Sequence, residues 1–260
     1  MKTQVKVLDG KFSIEMLTCG SGEPLLYLHN SFGHLPAEPF LDELGKDFKV
    51  YAPHFPGYGD STGGEHIYDV FDAALFYHQL MDELGLASAN ILGHAMGGML
   101  AAEIAALDPH RAKKLVLAAP QGFWIDSAPQ PDLFAAMPAD LARMLFFDTE
   151  FPMAKMMSTL PPDNNVLQTI YVERAKRFAM AGKLLWPLPD RGLKKRAYRI
   201  SAPTLLIWGE GDRMVPPVYA KEFTSRIKNA KVEIIKQAGH MLMYEQQEAF
   251  VGAVKKFLKS

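Results

Sequence analysis

Six apolar runs of three to five residues recur along this chain, and they constrain its fold more than any other feature. They are Leu25–Leu28, Phe48–Ala52, Asn90–Leu92, Lys114–Ala118, Thr204–Trp208 and Val232–Ile235. The first ends at His29; the others stop at or near Pro53, Gly93, Pro120, Gly209 and Gly239. Runs this short, ended by residues that break strands, predict strands buried in a parallel sheet.

Helical patterns lie between them. From Tyr68 to Leu84, Val70, Ala74, Tyr77 and Met81 fall on one stripe at steps of three and four. Met96–Leu107 is mostly small and apolar, which predicts a buried helix. Pro217–Ile227 and Gln246–Leu258 read as amphipathic helices. Strand–helix alternation with short links implies an α/β fold around a mostly parallel sheet. The stretch from Gln121 to Arg199 breaks the rhythm. It has no clear strand, is rich in Met, Phe, Leu and Pro, and is interrupted at Pro129, Pro131, Pro138, Pro152, Pro161 and Pro162. We read it as an inserted cap, residues 121–199, made of short helices. The core is then residues 1–120 and 200–260.

The 260 residues carry 28 basic and 29 acidic side chains, a net charge of −1. A near-neutral, well-mixed balance gives no electrostatic footprint for nucleic acid or an anionic membrane surface. The local cluster Arg191, Lys194, Lys195, Arg196 and Arg199 reads as a solvated helix face. One cysteine, Cys19, leaves no internal disulfide framework and no thiolate metal cluster. The N-terminal MKTQVKVLDG has no apolar leader pattern, and no apolar stretch is long enough to span a bilayer. The expected location is the cytoplasm, with no cofactor and no metal; a homodimer is compatible with the sequence.

The chemistry concentrates at strand ends. Gly93-His94-Ala95-Met96-Gly97-Gly98 follows one strand run and opens the small-residue helix. That is the setting of a nucleophile elbow, in which side chains at the glycine positions would collide with the neighbouring strand and helix. Asp212 follows the run ending at Trp208, and His240 follows the last run within Ala238-Gly239-His240. A histidine serves as a base when a buried carboxylate fixes its tautomer, so Asp212 and His240 are the candidate acid and base. His29-Asn30-Ser31-Phe32-Gly33 stands where backbone N–H groups could meet an oxyanion. The expected donors are the N–H groups of Met96 and of Ser31, with Phe32 as second choice. Pro53-His54-Phe55-Pro56-Gly57-Tyr58-Gly59-Asp60-Ser61 is a turn-dense loop after another strand.

Together these five segments resemble the α/β-hydrolase superfamily in its capped, esterase-like branch. They are similar to its H-G-x-x-G, P-G-x-G-x-S, G-H-S-M-G-G, W-G-x-x-D and A-G-H loops, from about residue 20 to the C-terminus outside the cap. The resemblance implies a serine hydrolase with a Ser-His-Asp mechanism, acting on a small hydrophobic ester or lactone. Three residues depart from the pattern: Ala95 at the nucleophile position, Asn30 at a glycine of the oxyanion loop, and His54 at an acidic position. Alanine cannot attack a carbonyl. Ala95 therefore leaves several readings open. It is a Ser→Ala replacement in a working hydrolase, favoured because Asp212 and His240 are both kept. Otherwise it belongs to a non-catalytic ligand-binding or receptor-like homologue, or to a cofactor-free lyase or oxygenase using His240 and Asp212 alone; for the bond cleaved, a C–C bond hydrolase is the alternative to an ester or lactone hydrolase. For ligand contact we expect Phe32, Met214 and Met241 beside the site, and Phe123, Trp124 and Trp186 from the cap.

Overall fold

The computed structural model describes residues 2–35, 37–187 and 190–260. Its strands are β1 (Lys2–Val7), β2 (Phe12–Cys19), β3 (Glu23–Leu28), β4 (Phe48–Pro53), β5 (Ala89–His94), β6 (Ala112–Ala118), β7 (Thr204–Gly209) and β8 (Ala230–Ile235). They form one sheet in the order β1-β2-β4-β3-β5-β6-β7-β8, antiparallel at β1–β2 and β2–β4 and parallel elsewhere. The helices are α1 (Pro39–Gly45), α2 (Val70–Glu83), α3 (Met96–Leu107), α4 (Pro138–Leu145), α5 (Pro152–Ser158), α6 (Asn164–Leu185), α7 (Tyr219–Thr224), α8 (Leu242–Glu245) and α9 (Gln247–Lys259).

Successive strand residues point to opposite faces, and β3 shows the consequence. Leu26 and Leu28 join one apolar core with α2, α3 and the insertion, while Leu25 and Tyr27 join the other with α1 and α9. Both faces are covered, which is why the central runs are almost wholly apolar. Asp69 starts α2 by accepting the backbone N–H groups of Phe71 and Asp72.

Two strands escape the apolar-run pattern. In β1, exposed residues alternate with more covered ones, as suits an edge, and β2 pairs with it from Lys2 opposite Leu17 to Val7 opposite Phe12. The last run also differs from expectation. β8 is the other edge of the sheet, and its Val232 and Ile234 stand 43% and 44% exposed instead of buried.

The segment between β6 and β7 is helical, with α4, α5 and α6 and no strand among its described residues. One helix is far longer than expected. After Pro162 no proline interrupts the chain until Pro187, and Asp163 caps the start of a 22-residue helix. The basic cluster also departs from expectation. Leu193–Lys195 and Ala197–Arg199 are short 3-10 turns, not a solvated helix face. Arg196 makes two bonds, at 2.8 and 2.6 Å, to Glu103, which is fully buried on α3. Arg199 bonds the carbonyl of Ala106 at 2.7 Å. Arg196 and Arg199 thus clamp the segment before β7 to α3, while Lys194 and Lys195 are exposed.

Removing one partner of a buried ion pair strands the other charge. Arg196→Met should therefore cost about 3 kcal/mol of unfolding free energy, while the double variant carrying Arg196→Met and Glu103→Leu should recover much of it. Urea unfolding checks this; equal midpoints for the parent chain and Arg196→Met would remove the clamp.

Candidate active site

The end of β5 and the start of α3 meet in one strained residue. Ala95 has φ +52° and ψ −111°, a conformation that L-residues rarely hold. Its N–H donates to the Ala118 carbonyl at 3.0 Å, and its carbonyl accepts from Met99 and Gln121. The glycines around it are there for space. A Cβ on Gly93 would overlap the Gly97 carbonyl, and a Cβ on Gly97 would overlap the carbonyl of Leu28. Only glycine lets α3 come this close to β3 and β5.

Two loops away, His240 Nδ1 donates to Asp212 Oδ2 at 2.8 Å. The other carboxylate oxygen accepts the N–H groups of Met214 at 2.9 Å and Val215 at 2.8 Å. The carboxylate is thereby fixed in place and buried. With Nδ1 committed as a donor, the lone pair of Nε2 is left to act as a base. Two other acids, Asp126 after β6 and Asp148 between α4 and α5, are engaged elsewhere: Asp126 accepts from Trp124 Nε1, and Asp148 Oδ1 accepts the Glu150 N–H.

A buried chain of bonds joins the three loops. His94 Nε2 donates to the His240 carbonyl at 2.9 Å, so its Nδ1 is the acceptor for Asn30 Nδ2 at 3.1 Å. Burial holds the His94 imidazole neutral, well below its usual range, and the neighbouring His240 adds to this. Asn30 Oδ1 accepts the Phe32 N–H at 2.8 Å. The Asn30 side chain thus occupies the amide of Phe32. Ser31 and Met96 make no backbone N–H bond to another described residue, and they touch through Ser31 Oγ and Met96 Sδ at 3.8 Å. Glu245 ties the base loop to the insertion, accepting Gly239 N–H at 2.7 Å and Phe147 N–H at 2.7 Å. Glu210 accepts Gln237 N–H at 2.7 Å and steadies the approach to the same loop.

The sequence of residues 21–253 matches the model of the alpha/beta hydrolase family. This chain belongs to that family. Among curated relatives, it is 28% identical over 189 residues to a 2-hydroxy-6-oxononadienedioate/2-hydroxy-6-oxononatrienedioate hydrolase of Comamonas testosteroni, covering 66% of this chain. It is 28% identical over 240 residues to a poly(3-hydroxyalkanoate) depolymerase of Ectopseudomonas oleovorans, covering 85% of this chain and 78% of that one. The chain spans 63% of the Comamonas enzyme's length and 64% of another curated relative's. Among solved structures, an esterase from Exiguobacterium antarcticum superposes with a TM-score of 0.74 over all of both chains at 21% identity.

A cavity of about 720 Å³ lies between the edge of the hydrolase core and α4–α6. Phe32 lines it; Ala95, Asp212, His240, Ser31 and Met96 do not. The other expected contact residues fall outside it too. Phe123 is buried with its ring 4.2 Å from that of Phe223. Trp124 bonds Asp126, and Trp186 is 54% exposed, edge-on to Phe134 beside a shallow depression. Met214 and Met241 are buried beside Asp212 and Asn30. Residues that do line the cavity include Arg174 and Arg177, which no strand-end motif marks. Their spacing of three on one helix is the only trace in the sequence.

Three histidines gather behind the loop that follows β3. The His34 ring is 4.6 Å from His54 and 5.0 Å from His29. His29 Nδ1 donates to the Asn30 carbonyl at 2.7 Å, and its Nε2 accepts the Phe55 N–H at 3.0 Å, so both ring nitrogens are in use. Burial and the charge of His34 push the His54 imidazole down to about 4, and Glu15 only partly offsets this. The unfolded imidazole titrates near 6.5, so acid protonates the unfolded chain first. This contribution to stability is full above pH 6.5 and is lost as pH falls toward 4. The expected slope from one such group is at most about 1.4 kcal/mol per pH unit. His54→Gln should flatten the loss between pH 6.5 and 5, measured by denaturant unfolding at each pH; an unchanged slope would assign it to other groups.

Proposed function

We propose that this chain carries the machinery of a serine hydrolase for a small hydrophobic carboxylic ester or lactone, with alanine standing where the serine nucleophile belongs. The observation that carries this reading is the 2.8 Å His240–Asp212 bond, set beside a strained elbow whose nucleophile position is Ala95. A strained turn costs on the order of 1–3 kcal/mol, and the present side chain makes no use of it. The oriented imidazole likewise has no hydroxyl to activate. Both features make sense around a serine.

With serine at position 95, its Oγ would attack the carbonyl carbon while His240 Nε2 takes the proton. Asp212 would hold the imidazolium that forms. The negative charge on the carbonyl oxygen would fall to the N–H groups of Met96 and Ser31, since Asn30 occupies that of Phe32. The proton on His240 would pass to the leaving oxygen, and water would then release the acid by the same route. Relatives named as a poly(3-hydroxyalkanoate) depolymerase and as a 2-hydroxy-6-oxononadienedioate/2-hydroxy-6-oxononatrienedioate hydrolase support hydrolysis of either a C–O or a C–C bond. The ester reading is preferred because the loop after β3 has a single Gly33 instead of a glycine-rich turn.

Ala95 itself favours a second reading, a hydrolase-fold protein that binds its ligand without cleaving it. One comparison separates the two. Ala95→Ser and the parent chain are run against nitrophenyl esters of increasing chain length, an enol lactone and a vinylogous 1,5-diketone. A burst followed by turnover in the serine form, faster by about 10⁴–10⁶-fold than the parent, is the expected result. No turnover by either form, with ligand still bound, would leave the binding protein. Equal turnover by both would point to the lyase or oxygenase chemistry of His240 and Asp212.

A further inference from the structure

We propose that the cavity beneath α5 and α6 is a binding site for an amphiphile with a carboxylate head and an aliphatic tail. Arg174 and Arg177 lie one turn apart on α6, and both line the cavity. Each spends a bond on a backbone carbonyl: Arg174 on Ala136 at 2.6 Å and Arg177 on Phe32 at 3.0 Å. Neither is within ion-pair distance of a carboxylate among the described residues, although most other arginines outside the site are. A guanidinium carries five N–H donors in a fork, so both groups keep donors for a ligand.

The acids that share the lining do not neutralise them. Glu38 accepts from Tyr244 Oη at 2.6 Å and from the Leu35 N–H at 2.9 Å. Glu173 pairs with Lys176, and Lys2 pairs with Glu15. Asp42, on α1, is close enough to Cys19 to add to burial in raising its thiol, and is not paired with either arginine. Around the arginines the wall carries the apolar side chains of Leu141, Met156, Met157, Leu160 and Phe178, with the neutral polar groups of Thr159, Thr169 and Tyr171 among them. The Arg174 guanidinium sits 4.9 Å over the Phe178 ring, which presents it from an apolar surface. Paired cations at the rim of an apolar chamber match a carboxylate joined to a tail. Methionines suit a tail of no fixed shape.

The site does not depend on the hydrolase reading. Binding is measured on the chain as it stands, whereas that reading is tested by turnover after Ala95→Ser. The experiment is isothermal titration with octanoate, methyl octanoate and octyltrimethylammonium. Octanoate should bind about 10-fold or more tightly than the other two, the scale of a charge-assisted contact. Arg174→Gln should erase most of that preference, and Arg174→Lys should keep part of it. Arg174 touches no part of the loops around Ala95, so this variant leaves them intact. Arg177→Gln should act in the same direction, with its fold checked by thermal melting. Met157→Trp should weaken all three ligands together by filling the chamber. Absence of octanoate binding, equal affinity for the three probes, or a preference that survives Arg174→Gln and Arg177→Gln together would each overturn the proposal.

Discussion

The close approach of α3 to the ends of β3 and β5 is the constraint on which the site depends. Gly97 lies against the Leu28 and His29 carbonyls with no room for a side chain, and Gly93 lies against Gly97. Because helix and strand are pressed together, the residue between them must turn sharply, and Ala95 takes positive φ. The same compression brings the first turn of α3 under the loop after β3. Met96 and Ser31 come into contact there, and His94 reaches across to the base loop. A larger residue at either glycine would push the helix away and open all three loops at once.

The buried bonds from Phe32 through Asn30 and His94 to His240 give that geometry a second constraint. Each member has its donor and acceptor roles fixed by its neighbours, so the loop after β3, the elbow and the base loop cannot shift separately. Asn30 is the unusual member. Its oxygen holds the amide of Phe32 and its nitrogen holds His94, tasks a glycine at that place could not perform. The departure from the family pattern thus strengthens the loop instead of loosening it.

The parts of this design that are legible in the sequence are those that local rules govern. The central strands are bounded by residues that end strands, and β3–β7 lie where the apolar runs lie. The residues at Ala95, Asp212 and His240 are marked by position at strand ends. Edge strands obey no such rule: β1 mixes polar and apolar residues, and β8 exposes Val232 and Ile234. The length of α6 can be inferred only from the absence of prolines between Pro162 and Pro187. The cavity is hidden for another reason. Its wall draws on β2, α1, α4, α5 and α6, segments that no sequence window contains together. Phe123 and Trp186 stand out in the sequence by size, but Phe123 is packed against Phe223 and Trp186 stands half exposed beside Phe134, away from the cavity.

Arg177 and Tyr58 join α6 to the loop after β3. The guanidinium holds the Phe32 carbonyl, and the Tyr58 hydroxyl reaches both the Ser31 carbonyl at 3.2 Å and the Arg177 carbonyl at 2.9 Å. The helix that walls the cavity and the peptide facing the elbow are thus mechanically one piece. Any tilt of α6 that widens the chamber for a bulkier guest must drag the Ser31 amide with it. In such a molecule, selection for a new guest and selection for the alignment of that amide act on the same few bonds, and a lineage could not retune one while leaving the other untouched.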